Sequence, residues 1–111
     1  FGRPIGTFQV LKHRMVDILM ACEEARSMAY MATLKLGECD SNARKRATSA
    51  AKVSIGKAAR FVGQQSIQLH GGMGMTDELN VGHYFKRLTM IDILFGDVDF
   101  HLKRYSACAS D

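Results

Sequence analysis

The segment from Gln68 to Gly74 holds the residue types that most clearly point to a binding site. It reads QLHGGMG and follows a long stretch with helical periodicity. Glycines allow backbone N–H groups to approach a ligand closely, and a turn of this kind can hold phosphate or pyrophosphate oxygens. His70 could add a hydrogen bond to a phosphate, or it could simply be a histidine at a helix end. The same pattern also occurs at an ordinary corner between two helices, so spacing alone leaves both interpretations open.

The three cysteines form no recognisable metal or disulfide pattern. Cys22, Cys39 and Cys108 are widely spaced, with no Cys-x-x-Cys and no nearby pair of histidines. We therefore expect neither a metal site nor a disulfide framework. Reduced thiols are typical of the cytoplasm, which is the expected location unless an upstream segment directs the protein to an organelle matrix. Cys22 lies on an apolar helical stripe and is expected to be a small buried residue rather than a nucleophile.

The positive charge of the chain is concentrated in one region. The formal net charge is +4 and the isoelectric point is about 9.2. Aromatic residues for stacking on bases are not interleaved with the basic ones, so a solvated face is expected and no nucleic-acid partner. No apolar run of about 18 residues is present, and no membrane span is expected. The basic residues concerned are Arg44, Lys45, Arg46, Lys52, Lys57 and Arg60.

Helical periodicity runs through almost the whole chain. Pro4 is the only proline, so little interrupts a helix. Apolar or small residues recur every three or four positions over residues 8–36, and a second helical stretch covers about 42–70. Asp40 or Ser41 offers a side-chain oxygen that can cap the second helix.

Two shorter helices are predicted in the remainder. The third should begin at Asp77 or Asn80, and Asp97 can cap a fourth. The pattern predicts an all-α domain, an up-and-down four-helix bundle with short links. Gly56 and Gly63 lie inside the second helix and each cost about 1 kcal/mol relative to alanine, which close packing against a neighbouring helix could offset. The positions expected to face inward are Phe8, Leu11, Met15, Ile18, Cys22, Ala25, Ala29, Ala32 and Leu36, then Ala47, Ala51, Ser54, Ala58, Phe61 and Gln65, then Val81, Tyr84, Leu88 and Ile91, and finally Val98, Leu102 and Tyr105.

Three blocks of the sequence resemble the acyl-CoA dehydrogenase family. The first is FGRPIGTFQVLKH at residues 1–13, which is similar to the family's entry to its C-terminal helical bundle. The second is the Gln-x-x-Gly-Gly-x-Gly pattern at residues 68–74, and the third runs over residues 81–96 at the expected distance downstream. The resemblance covers the whole chain in register. It implies that residues 1–111 form the C-terminal helical bundle, without the family's N-terminal helical and central β domains.

The resemblance also implies a reaction and its partners. Members of the family hold FAD and remove two hydrogens across the Cα–Cβ bond of an acyl-CoA. A carboxylate takes the α-proton while the β-hydrogen passes to the flavin as hydride. Electrons usually leave through an electron-transfer flavoprotein, and the bundle makes much of a homomeric or heteromeric dimer or tetramer. The alternative is a helical oligomerisation module, or non-catalytic subunit, without flavin chemistry.

The family's cofactor contacts carry over to two parts of this sequence. Phe1 and Gln9 fall where the bundle touches a flavin, often the one held by a neighbouring subunit. The second part falls where the family cradles the ADP side of FAD. It consists of the Gln68 side chain and the backbone of Leu69, His70, Gly71 and Gly72.

The family's catalytic position is occupied by a residue that cannot act as a base. An ungapped register places LFGD, residues 94–97, over the family's Tyr-Glu-Gly-Thr, so Phe95 stands where many members have the glutamate. Phenylalanine cannot accept a proton, and a general base typically contributes about 10²–10⁴-fold. The base then comes from another residue or segment, or the chain is the silent partner in a heteromer. Asp97 is the remaining candidate, although Asp97 and Asp99 also suit the capping of the last helix.

Overall fold

The computed structural model describes residues 2, 8–71 and 80–109, and four helices account for nearly all of these residues. They are α1 (Gln9–Lys35), α2 (Ser41–His70), α3 (Asn80–Ile93) and α4 (Val98–Ala109). No strand occurs within the described ranges. The predicted all-α fold class is therefore confirmed, and the helices begin and end close to the expected positions.

The second helix is the central element, because each of the other three packs against it. α1 returns to it through a short link over residues 36–40. Phe85 of α3 meets α2 at Gly63, whereas His101 of α4 meets it at Ser49. As the chain advances from α3 to α4, its contact point on α2 therefore moves back from residue 63 to residue 49. These two helices therefore run antiparallel to α2, end to end, as one bent arm, and the molecule measures 58 × 26 × 21 Å.

Two glycines of α2 allow this α3–α4 arm to come close. A Cβ atom at position 63 would lie 2.6 Å from Cδ2 of Phe85, and one at position 56 would lie 2.7 Å from Cγ2 of Val98. Both separations are far below the carbon–carbon contact distance of about 3.5–4.0 Å. The expectation that close packing explains Gly56 and Gly63 is confirmed.

Side-chain caps fix where two helices begin. The Asp40 carboxylate accepts a hydrogen bond from the backbone N–H of Asn42 over 3.0 Å at the start of α2. The Asp97 carboxylate accepts one from the backbone N–H of Phe100 over 2.9 Å at the start of α4. Each cap satisfies a donor that the helix itself leaves without a partner. The capping role expected for these two aspartates is confirmed.

Part of the basic region serves the fold. The Lys52 ammonium group donates to the carbonyl oxygens of Ile91 and Asp92, over 3.3 and 3.2 Å, at the end of α3. A cation at that end complements the helix dipole. The Arg44 guanidinium donates to the carbonyl of Glu38 in the α1–α2 link. Two of the six basic side chains therefore have structural partners, one at the end of α3 and one in the α1–α2 link.

The expected burial of Cys22 is wrong. Its side chain is exposed, as is that of Cys39, and only Cys108 is buried. The face that α1 turns to α2 includes Ala21 and Ala25, which are partly buried. Because successive residues of a helix are about 100° apart, Cys22 points away from that contact.

The inward faces of α2 and α3 also differ from the prediction. Ala47 and Ala51 of α2 are buried as expected, whereas Phe61 is exposed. On α3, Tyr84 and Ile91 are exposed, and Phe85 faces α2 in their place. The hydrophobic pattern alone does not reveal that a glycine on the facing helix leaves room for the Phe85 ring.

The described residues offer no metal site and no membrane-spanning helix. Within the described ranges, no three His, Cys, Asp or Glu side chains come together to hold a metal ion. None of the helices there is both long and apolar enough to cross a membrane.

Candidate functional site

The antiparallel pairing of α1 and α2 brings two predicted cofactor-binding segments to the same end of the hairpin. Gln9 begins α1, and Gln68 lies in the last turn of α2. Both helices are about 40 Å long at 1.5 Å per residue. Residues that lie far apart in the sequence are therefore both near the open end of the hairpin, and both glutamine side chains are exposed. Phe1 and Gly72, the other two ends of these segments, lie outside the described residues.

The end of α2 is closed by hydrogen bonds of its own. The backbone N–H of Gly71 donates to the carbonyl of Gln68, with φ 65° and ψ −146° at Gly71. An L-residue with a side chain rarely adopts that conformation, which explains a glycine there. The Nδ1 atom of His70 donates to the Ser66 carbonyl over 2.7 Å. With Nδ1 donating, Nε2 of a neutral ring can only accept, so it donates to a phosphate only as an imidazolium.

These groups match part of what FAD would require. The exposed Gln68 amide and the His70 ring can hydrogen-bond polar groups of a dinucleotide. The end of a helix, however, carries a partial negative charge, and the Gly71 N–H is already used for the cap. The described residues therefore suit the neutral polar groups of FAD better than its pyrophosphate charge. Other parts of the enzyme would have to neutralise that charge.

The turn between α3 and α4 contains the most unusual backbone conformation in the described residues. Phe95 has φ 61°, the left-handed region, and its side chain is 92% exposed. For a residue with a bulky side chain this conformation costs roughly 1–2 kcal/mol. Gly96 follows with φ 98°. A strained residue persists only where its surroundings hold it, so the contacts of Phe95 are decisive.

A buried cluster holds the Phe95 backbone. His101, only 4% exposed, lies with Nε2 2.9 Å from the Phe95 carbonyl oxygen and with Nδ1 3.0 Å from Oγ of Ser49. A carbonyl can only accept, so Nε2 donates. The neutral ring then accepts at Nδ1 from the Ser49 hydroxyl, whose oxygen in turn accepts from Nε of Arg104 over 2.7 Å. We call Ser49, His101 and Arg104 the His101 cluster.

The sequence interpretation missed the His101 cluster. It placed Leu102 and Tyr105 of α4 on the inward face, yet both are partly exposed, and His101 and Cys108 are buried instead. The signal is present in the spacing, because His101 and Cys108 are seven residues apart and share a helix face. Histidine is not among the residue types most often fully buried, and its partner, the Ser49 hydroxyl, comes from a distant part of the sequence.

The candidate catalytic region is separate from the end of α2 that carries Gln68. Position 95 lies beside the part of α2 between Ser49 and Gly56, which is roughly 18–29 Å along the helix from Gln68 at 1.5 Å per residue. The Asp97 carboxylate is exposed and already caps α4. The structure therefore brings the predicted cofactor segments together at one end of the bundle, and it keeps Phe95 and Asp97 apart from them.

The comparison with protein families gives a match over nearly the whole chain. The model described as "Acyl-CoA dehydrogenase, C-terminal domain" matches residues 1–107. A protein described as "Acyl-CoA dehydrogenase IpdE2" from Mycolicibacterium smegmatis is 37% identical over 96% of this chain and 32% of its own length. One with the same description from Mycobacterium tuberculosis is 39% identical over 78% of this chain and 25% of its own length.

Other relatives carry other activities in their descriptions. A 3-sulfinopropanoyl-CoA desulfinase from Paraburkholderia xenovorans is 32% identical over 86% of this chain and 24% of its own length. The chain spans about a third or less of each of these three relatives. No solved structure gives a significant match.

Proposed function

The chain belongs to the acyl-CoA dehydrogenase family, as its C-terminal domain, and from that premise we propose that it works within an FAD-dependent enzyme acting on an acyl-CoA thioester. Several relatives are described as acyl-CoA dehydrogenases, and in this proposal the reaction is dehydrogenation across the Cα–Cβ bond. FAD, when bound, supplies the hydride acceptor. The domain contributes contacts to the cofactor and surface for assembly.

The observation that carries the cofactor role is the common position of Gln9 and the Gln68–Gly71 segment. Both lie at the open end of the α1–α2 hairpin, and both glutamine amides are exposed. In this proposal the Gln68 amide hydrogen-bonds the ADP side of FAD. The glycine after the helix lets the cofactor come close, because a Cβ at position 71 would have nothing within 4 Å. Phe1, Leu69, His70 and Gly72 complete the proposed contacts.

In this proposal the residue at position 95 does not take part in the proton transfer. Phe95 has no group that accepts a proton, and its exposed ring would form an apolar wall beside the acyl group. The Asp97 carboxylate has a structural partner in the Phe100 N–H. In this proposal the base comes from another segment of the enzyme, or this chain is the catalytically silent subunit of a heteromer.

An apolar outer face of α1 supports a role in assembly. The face opposite α2 carries large apolar side chains that are more than half exposed in the single chain: Val16, Leu19, Met20, Tyr30 and Leu34. Exposed apolar surface of this extent usually marks an interaction site. Assembly as a dimer or tetramer, homomeric or heteromeric, follows in this proposal. Electrons leave to an electron-transfer flavoprotein, and the enzyme acts in the cytoplasm or an organelle matrix.

The proposal is tested by comparing the flavin content of the unaltered full-length enzyme with that of variants at Gln68 and Gln64. The protein is purified with any partner subunit, and the visible flavin absorption per chain is measured. We expect a yellow protein that bleaches when an acyl-CoA is added without oxygen, and a loss of flavin in Gln68→Leu. Gln64→Leu is the matched control, because Gln64 is also exposed and lies one turn earlier on α2. A colourless full-length enzyme would reject the proposal.

A further inference from the structure

We propose that His101 is a positioning residue for position 95, because it holds the Phe95 carbonyl from within a buried cluster and so fixes where the Phe95 ring is presented to bound acyl-CoA. The presentation to acyl-CoA rests on the proposed function. The fixing of the ring rests on the geometry of the turn.

The backbone at position 95 needs contacts that hold its conformation. Phe95 is held in the left-handed region, and its ring is almost fully exposed. Since the ring makes little contact with this chain, ring packing does not hold the conformation. Hydrogen bonds remain as the constraint. The Gly96 N–H bonds the Ile93 carbonyl on one side of the turn, and the His101 ring bonds the Phe95 carbonyl on the other.

Groups on α2 and α4 orient the His101 ring. Its Nδ1 atom faces the Ser49 hydroxyl, which is fully buried on α2. The Arg104 guanidinium bonds both Ser49, over 2.7 Å, and Thr48, over 2.8 Å. The imidazole is therefore held from the second helix, the most extensively packed element. Because the ring is rigid, holding Nδ1 at Ser49 also fixes Nε2, which bonds the Phe95 carbonyl in the α3–α4 turn.

A turn held by such hydrogen bonds suits a side chain that contacts a ligand. A ligand-contacting side chain works best when its supporting shell is locked by packing and hydrogen bonds. A leucine or methionine at position 101 would fill the space, but it would leave the Phe95 carbonyl without this donor. Glutamine could replace both functions of the ring, because its amide oxygen can accept from Ser49 and its amide nitrogen can donate to Phe95.

The experiment places a fluorine label on the ring. A trifluoromethyl-phenylalanine is incorporated at position 95 of the full-length enzyme, and its fluorine NMR spectrum is recorded. We expect one resonance in the parent protein and a shifted or split signal in His101→Met. We also expect recovery of the parent spectrum in His101→Gln. If His101→Met does not fold, Ser49→Ala tests the same link with a smaller change, and it should shift the resonance as well.

The outcomes separate the inference from the proposed function. Cys108→Ala is the matched control, because Cys108 is buried on the same face of α4 but lies outside the cluster. A resonance unmoved by His101→Met and Ser49→Ala overturns the inference, as does a control that moves it equally. Octanoyl-CoA is then added to the parent protein. If it leaves the resonance unchanged while the His101 variants move it, the positioning role stands and the proposed contact with acyl-CoA fails.

Discussion

The Nε2 atom of His101 lies 2.9 Å from the carbonyl oxygen of Phe95, across the turn that separates α3 from α4. This bond joins a buried ring to the backbone of Phe95, whose side chain is the most exposed of the large hydrophobic ones in the described residues. In the proposed register, Phe95 takes the position of the family's usual catalytic glutamate. The turn therefore keeps a defined geometry even though the residue presented there cannot act as a base.

Phe95→Asn should stabilise the purified domain by about 1 kcal/mol, because asparagine tolerates the left-handed region better than phenylalanine. Little packing is lost, since the ring is exposed. The unfolding free energy from urea titration measures the effect. Phe100→Asn is the control, because Phe100 lies within α4 and asparagine there should lower stability. A destabilised Phe95→Asn would mean that the ring packs against the domain.

Gly63→Ala should destabilise the domain by about 1–3 kcal/mol through overpacking. The added methyl group would lie 2.6 Å from the Phe85 ring, and α3 would have to move away from α2. Gly37→Ala should show no such loss, because position 37 has open space around it. Combining Gly63→Ala with Phe85→Leu should recover part of the lost stability in the same denaturation experiment.

The isolated domain should bind FAD weakly or not at all. The end of α2 offers amide and imidazole groups, but its helix dipole opposes the negative charge of the phosphates. The remaining contacts would come from the β domain and from a neighbouring subunit. Isothermal titration with FAD measures this directly. Binding at micromolar or tighter affinity would show that this domain forms the site by itself.

The isolated domain should also associate, because the outer face of α1 exposes large apolar side chains. Leu34→Glu and Met20→Glu together should shift light scattering from dimer or tetramer towards monomer. Lys45→Glu serves as the charge-matched control on an exposed position of α2. A strict monomer at high micromolar concentration of the unaltered domain would contradict the assembly role.

Local signals predicted the helices well, whereas burial depended on facing partners. The cap at Asp97 and the close approach at Gly63 followed from single residues and their neighbours in sequence. The inward faces of α1 and α4 were partly wrong, because Cys22 and His101 have their environments set by other helices. A period of three or four residues marks an apolar face, but it does not identify the polar group that will hydrogen-bond a buried histidine.

Two interpretations of the site remain predictions. The contacts of Gln9 and Gln68 with FAD depend on parts of the enzyme beyond this domain. The same holds for the position of Phe95 beside the acyl group. What the structure adds is their arrangement, with both glutamines at one end of the bundle and Phe95 roughly 18–29 Å away along α2.

The most direct test of the account is the rate of flavin reduction by an acyl-CoA in the complete enzyme carrying Asp97→Asn. Asparagine caps a helix about as well as aspartate, so this change removes the carboxylate while it retains the cap. Asp97→Ala, which removes both, should cost about 0.5–2 kcal/mol of stability. We predict that Asp97→Asn leaves the rate within a few-fold of the unaltered enzyme, because this chain does not supply the base. A loss of roughly 10²-fold or more, with flavin content and folding intact, would contradict the account.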